Sequence, residues 1–185
     1  MHMDGCFHDL LLTRHSIRKY KDQEVSPDDV RTIIEAALLS PSSKSKRPWQ
    51  FVIVDNREKL KALSKSKTYG AHALETAAFA VAVIADPGKS DVYVEDCTYA
   101  AALMQLQAHA LGLGSCWIQV RLREAPDGES AGEYVQQILG IPEYLKVECL
   151  VTFGYSDETR RPVDPSKLLW EKVHIDTWKD NGEEE

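Results

Sequence analysis

The longest apolar run of the chain, Ala77 to Ala85, constrains the fold more than any other segment. It is too short to span a bilayer, so it reads as a segment buried in a protein core. Periodicity alone does not separate a buried strand from a buried helix segment here. Val83 and Ile84 followed by Asp86-Pro87-Gly88 favour a strand that ends in a turn. A chain of 185 residues is long enough for one compact domain around such a core. No linker is visible, so a single domain over 1–185 is expected, with about 156–185 as a C-terminal arm.

The flanking segments carry start and stop signals. Ser26 suits a helix cap, Pro27 the first helical position, and Asp28 and Asp29 the positive end of the dipole. Val30, Ile33, Ile34, Ala37 and Leu38 follow at helical spacing, and the helix must stop before Pro41. Gln50 to Val54 reads as a strand, and Asn56 caps a short helix through Leu63. Asp91 to Leu111 reads as a long helix stopped by Gly112. Ser115 to Val120 is a short strand or a turn, Glu129 to Leu139 a helix ended by Gly140, and Val147 to Tyr155 a strand. These elements predict a sheet covered by helices, without a regular alternating βα pattern.

A formal net charge of −7 argues against non-specific nucleic-acid binding, which needs a basic face. Cys6, Cys97, Cys116 and Cys149 are widely spaced, with no C-x-x-C pair and no zinc-like spacing. They read as free thiols of a reducing cytoplasm, and no metal site is expected. The N-terminus lacks the basic and apolar regions of a signal peptide, and no segment suggests a membrane partner. Walker-type, H-E-x-x-H and G-x-S-x-G motifs are absent.

Four segments concentrate possible chemistry. In Arg14-His15-Ser16-Ile17-Arg18-Lys19-Tyr20, forked guanidinium donors and a hydroxyl stand close together, as phosphate recognition requires. Extended, the segment puts Arg14, Ser16 and Arg18 on one face; helical, it makes Arg14 and Arg18 neighbours. A solvated basic stretch after a helix is the plainer reading of the same residues. Ser40 to Phe51 is a loop of small hydroxyl residues stiffened by Pro41 and Pro48, suited to close approach to a flat ligand or to service as a polar connector. Gly112-Leu113-Gly114-Ser115-Cys116-Trp117 fails as a dinucleotide fingerprint, because it follows a helix and has Trp117 where a small residue is needed. Arg160, Arg161 and Lys167 form a second basic cluster.

Together the four segments resemble the nitroreductase family, and they occur in its order. Arg14-His15-Ser16-Ile17-Arg18 resembles its R-R/H-S-x-R opening, and Pro41-Ser42-Ser43 through Pro48-Trp49 its P-S-x-x-N-x-Q-P-W loop. Gly112 to Ile118 resembles its G-L-G-S-C-W-I segment. Gly154-Tyr155, the basic residues after it, and Leu169 to His174 resemble the C-terminal end of its short members.

The resemblance implies an α+β fold with a mainly antiparallel central sheet flanked by helices. It also implies an intertwined homodimer, FMN at the subunit interface, and a terminal arm crossing to the partner. Arg14, His15, Ser16 and Arg18 would hold the FMN phosphate and ribityl chain. Pro41, Ser42, Ser43 and Ser45 would line the isoalloxazine, partly from the other subunit. Cys116, Trp117, Ile118 and Gln119 would pass backbone groups over its other side. Arg161 or Lys167 would complete the phosphate site, with Arg160 as an outside candidate. The implied activity is hydride transfer from NAD(P)H through the flavin to a small nitroaromatic, quinone or enone acceptor, in two exchange steps. A non-catalytic flavin binder, or the same fold running reductive dehalogenation or flavin fragmentation, are the alternatives. The chain departs from the family pattern at Ser45 (for Asn) and Arg47 (for Gln), which shortens one polar side chain and adds a cation beside the expected ring.

Overall fold

A computed structural model describes residues 7–178 of the chain; Cys6 and the acidic end at Glu183-Glu184-Glu185 lie outside the described residues. Five helices are present: α1 (Phe7–Thr13), α2 (Pro27–Leu38), α3 (Arg57–Leu63), α4 (Tyr93–Ala110) and α5 (Ala131–Leu139). Four strands, β1 (Trp49–Val54), β2 (Phe79–Ala85), β3 (Gly114–Gln119) and β4 (Lys146–Gly154), form one sheet in the order β1-β2-β4-β3. Every neighbouring pair is antiparallel, so the fold is α+β.

The apolar run is the strand β2, and its place in the sheet explains why it lacks alternation. All seven of its residues are buried, because β1 and β4 flank it and both faces are covered. Phe79, Val81, Val83 and Ala85 pack with α4 residues Cys97, Ala100, Ala101 and Met104 on one face. Ala80, Ala82 and Ile84 pack on the other, with Leu60 and Leu63 of α3 and Val135 of α5. Phe79 and Phe153 stack at 4.9 Å between ring centres, joining β2 to β4.

Local chemistry sets the helix ends. The Ser26 hydroxyl accepts from Asp29 N–H at 3.1 Å, and Asn56 Oδ1 accepts from Lys59 N–H at 3.0 Å. Gly112 adopts φ 80° after α4, so that Leu113 N–H reaches Ala108 O at 2.8 Å and Gly112 N–H reaches His109 O at 2.9 Å. This is a Schellman closure, and it turns the chain directly into β3. Gly140 closes α5 in the same way, with φ 67° and Ile141 N–H on Gln136 O. The sequence extends α5 back to Glu129, but the helix starts at Ala131, because Glu129 C=O is taken by Ala125 N–H in a turn.

Two features position the site. First, α4 runs from the Trp49 end of the sheet to the Gly114 end, a span of about 27 Å at 1.5 Å per residue. Second, β1 and β3 are the two edge strands, each paired on one side only within the named strands. Beyond Tyr155 the chain leaves the sheet, and the arm makes two short 3-10 turns, Pro165–Lys167 and Trp170–Lys172. Leu168, Leu169, Trp170, Val173, Ile175 and Trp178 are exposed along it. Among the described residues, no helix is long and apolar enough to cross a membrane.

Candidate functional site

The Arg14 segment is extended, not helical, and it is tied to the start of β3. Ser16 forms a parallel bridge with Ser115, and Ile17 N–H donates to Ser115 O at 2.9 Å. Further on, Lys21 N–H donates to Tyr155 O at 2.8 Å, and Asp157 N–H to Lys19 O at 3.0 Å. The segment thus crosses the end of the sheet and links the first, third and fourth sequence motifs through backbone pairing. Buried Ile17 and Tyr20 anchor it. The Tyr20 hydroxyl donates to Ile17 O at 2.7 Å and lies 2.8 Å from Thr152 Oγ1. Gly114 permits the approach, since a Cβ there would stand 2.8 Å from Ile17 Cβ.

A cleft of about 270 Å³ opens beside this segment, with Arg14, His15, His109, Ser115, Glu158 and Arg160 in its walls. His15 Nε2 is buried and has no hydrogen-bond partner, and His15 stands in the wall of this cleft beside Arg14. His109 Nε2 lies 2.8 Å from Thr13 Oγ1. Burial, then the neighbouring Arg14 and His15, hold the His109 imidazole below its ordinary value. Glu158 accepts from Arg18 N–H at 3.1 Å and pairs with Arg160 Nη2 at 3.3 Å. The Arg18 backbone donor, followed by Arg160, keeps the Glu158 carboxyl below the usual carboxylate range. Glu158 thereby steers Arg160 at the mouth of the cleft. Two arginines, an orphaned imidazole nitrogen and closely approaching glycine backbone fit a phosphate monoester.

Beyond the cleft runs the open edge of β3. Ser115 C=O faces outward to Ile17, so by strand alternation the backbone groups of Trp117 and Gln119 face the same open edge. Trp117 Nε1–H donates to Gln119 Oε1 at 2.9 Å, and Gln119 Nε2–H to Arg121 O at 2.9 Å, which stiffens this surface. Cys116 and Ile118 point into the core. Burial pushes the Cys116 thiol above its ordinary value, Cys97 up to about 12, and Cys149 well up, which disfavours the thiolate at all three described cysteines. Lys67 lies near Cys116 and Arg123, and burial followed by Arg123 lowers its pKa. No group of three or more His, Cys, Asp or Glu side chains is placed to hold a metal among the described residues.

The 41–48 loop is built differently and lies elsewhere. Lys44, Ser45 and Arg47 have φ of 51°, 53° and 45°, three left-handed non-glycine residues within four positions. Each such residue costs about 1–2 kcal/mol, a concentration of strain typical of functional loops. The Ser42 hydroxyl accepts from Arg47 N–H at 3.0 Å, and Ser43 N–H donates to Asp96 Oδ1 at 2.8 Å. Pro41 and Ser45 are exposed, and Trp49 is buried with its Nε1–H unpaired. Asp96, which holds this loop, and His109, which lines the cleft, sit near opposite ends of α4, about 20 Å apart by helix rise. Within one chain, therefore, the loop and the cleft do not meet.

Among the three basic residues weighed for the phosphate, Arg160 lines the cleft, whereas Arg161 and Lys167 lie on the exposed arm outside it. His109 and Glu158 also line it and were not legible as site residues. Only the closure after α4 and the Arg18–Glu158 hydrogen bond carry them there.

Comparison with known proteins gives a consistent result. The sequence signature described as the Nitroreductase family matches residues 11–69 and 61–155. An Archaeoglobus fulgidus protein with the provisional name NADH dehydrogenase/NAD(P)H nitroreductase is 35% identical over 181 residues, covering 95% of this chain and 100% of its own length. The solved structure of an FMN-dependent nitroreductase from Clostridium difficile is 46% identical, with a TM-score of 0.91 over 92% of this chain and 99% of that one. A Parabacteroides distasonis structure, provisionally named like the Archaeoglobus protein, is 29% identical, with a TM-score of 0.84 over 95% of this chain and 100% of that one.

Proposed function

This chain belongs to the nitroreductase family, and from that premise we propose that it is an FMN-dependent oxidoreductase using NAD(P)H to reduce a small nitroaromatic, quinone or enone. The observation that carries the reading is the cationic cleft at the head of an open strand edge, with His15 Nε2 buried and unpartnered in it. Bound FMN would supply the two-electron redox chemistry between NAD(P)H and the acceptor.

The chain's own residues bind, orient and exclude water. Arg14, His15 and Arg160 hold the phosphate, with Arg161 or Lys167 reaching it only from an arm. Ser16 and Arg18 continue along the ribityl chain. The outward backbone groups of Trp117 and Gln119 would lie along the ring, with Cys116 and Ile118 buried in the core behind them. Pro41, Ser42, Ser43 and Ser45 cover the opposite face, and Arg47 adds a cation at the rim. The site needs no protein nucleophile, in keeping with the buried thiols. Holding donor and acceptor in turn at about 3–3.5 Å from the reacting atom supplies the rate.

A homodimer completes the site. A two-fold pairing with the α4 helices antiparallel would set one chain's loop against the other's cleft, two features that lie at opposite ends of α4 within one chain. The exposed apolar arm, together with exposed Leu38, Leu39 and Tyr99, supports such an interface and an arm that crosses to the partner. Cys97, Cys116 and Cys149, free and buried, suit a reducing cytoplasm.

The test is a visible spectrum of the purified protein, followed by NAD(P)H oxidation with a quinone and a nitroaromatic. One FMN per chain, parallel-line kinetics and a dimer by light scattering are expected. Protein that stays colourless after incubation with excess FMN would sink the reading. Bound flavin without NAD(P)H oxidation would leave a flavin-binding protein in place of the enzyme.

A further inference from the structure

Asp96 stands in the first turn of α4, and it is 3% exposed. Its Oδ1 accepts from Ser43 N–H at 2.8 Å, and its Oδ2 from the Ser90 hydroxyl at 3.1 Å. None of the ion pairs between described residues involves it. A buried carboxylate without a cation is costly, and what offsets the cost here is two hydrogen bonds and the positive end of a long helix. Those two bonds gather three separate stretches: the 41–48 loop, the connection after β2, and α4.

The loop has few other ties to the body. Its internal bonds, Ser45 N–H to Ser42 O, Lys46 N–H to Ser43 O and Arg47 N–H to Ser42 Oγ, close it on itself. Lys46 reaches Asp91 only at 3.9 Å and at the surface, a contact of little worth. Three left-handed residues strain it from within. Such a loop keeps its shape only if something outside over-determines it. The Ser43–Asp96 bond, at 2.8 Å and half-buried, is the well-formed tie between Pro41 and Arg47 and the rest of the fold.

We propose that Asp96 is a positioning residue for the flavin chemistry: by anchoring Ser43 it sets the height and tilt at which the 41–47 loop covers the ring held in a second copy's cleft. The inference rests on the function proposed above. Asp96 touches neither flavin nor substrate; it acts through the loop backbone. The clamp depends on its geometry more than on its charge, because an amide oxygen also accepts from Ser43 N–H, more weakly, and an amide N–H donates to Ser90 Oγ.

Full-length protein loaded with FMN tests this in three variants, Asp96→Ala, Asp96→Asn and Ser43→Pro. Ser42 is extended, with φ −145° and ψ 153°, as a residue before proline must be, so Ser43→Pro removes the N–H donor from the other side of the same bond. Asp96→Ala keeps its FMN stoichiometry, because the phosphate cleft is at the far end of α4. Its bound-flavin fluorescence rises as the ring loses cover, and kcat/KM for a quinone acceptor falls about tenfold through misplacement of the loop. Ser43→Pro behaves in the same way. Asp96→Asn stays within about twofold of the parent in both measurements. Wild-type fluorescence and kcat/KM in Asp96→Ala, whatever its Tm, would overturn the proposal, and so would an Asp96→Asn variant as impaired as Asp96→Ala. If Asp96→Ala does not fold, Ser43→Pro decides by the same readouts. A parent protein that binds no FMN breaks the functional reading itself; an active parent with an indifferent Asp96 breaks only this inference.

Discussion

The two ends of α4 carry two half-sites made by different means. At the His109 end, the Arg14–Arg18 segment is laid against β3 and Tyr155 by backbone pairing, with Ile17 and Tyr20 buried beneath it. At the Asp96 end, the 41–47 loop pairs with no strand, bends through three left-handed residues, and is tied by the Ser43–Asp96 side-chain hydrogen bond, while Pro48 O accepts from Asp86 N–H where β1 begins. A half-site built on a backbone ladder is insensitive to most side-chain changes along it, but intolerant of anything that separates the strands. A half-site built on strain responds to relief of that strain and to the loss of its anchor. The ladder suits a phosphate that must be gripped; the strained loop suits a cover that must be placed.

Removing the grip should have the largest effect. Arg14→Ala with Arg18→Ala deletes two charge-assisted contacts at about 1.5–3 kcal/mol each, so FMN affinity should fall at least about 100-fold while the fold persists. Fluorescence titration of apo-protein measures it, and an unchanged Kd would remove the assignment of Arg14 to the phosphate and of Arg18 to the ribityl chain. Next comes Gly114→Ala, whose Cβ meets Ile17 at 2.8 Å and should destabilise by about 1–3 kcal/mol with partial loss of FMN. Ser45→Ala in the loop should stay within about 0.5 kcal/mol. Equal urea midpoints for the two would erase the contrast between ladder and loop.

Arg47→Gly should act in the opposite sense, stabilising by about 0.5–1 kcal/mol as the left-handed strain at φ 45° is released. A loss of stability there would mean that the loop is not strained. The smallest effect belongs to His109. Its folded value is lowered from 6.5, so the unfolded chain binds the proton first as pH falls. Stability of the apo-protein is complete above that ordinary value, and declines as pH drops from it through the folded one. His109→Gln should flatten that decline in urea midpoints, and added FMN should reduce it in the parent by giving the imidazolium a phosphate partner. A decline unchanged by the substitution would assign the titration to another group.

The legibility of this site in sequence follows the same division. Ser26, Asn56, Gly112 and Gly140 act where they stand, because caps and closures depend on residues within one helical turn. The basic cluster at Arg14 was visible as chemistry, but extended and helical geometries stayed equal until Ser115 supplied the bridge. Arg160 rather than Arg161 or Lys167 faces the cleft because Glu158, itself held by Arg18 N–H, pairs with it. Nothing local distinguishes these three cations. Asp96 falls inside the long helix that the sequence predicts from Asp91, with nothing local to mark it, and its partner Ser43 lies 53 residues away.

By itself, then, the sequence determined where elements begin and end, that one run must be wholly buried, and which residue types were available for phosphate recognition. Capping bonds, glycine turns and apolar runs are short-range, and their energies are spent within a few residues. Which cations converge, which loop is held and by what, and that the two halves of the site lie at opposite ends of one helix were decided by the tertiary structure alone. Those relations are distances between chain segments, and strand order in the sheet sets them.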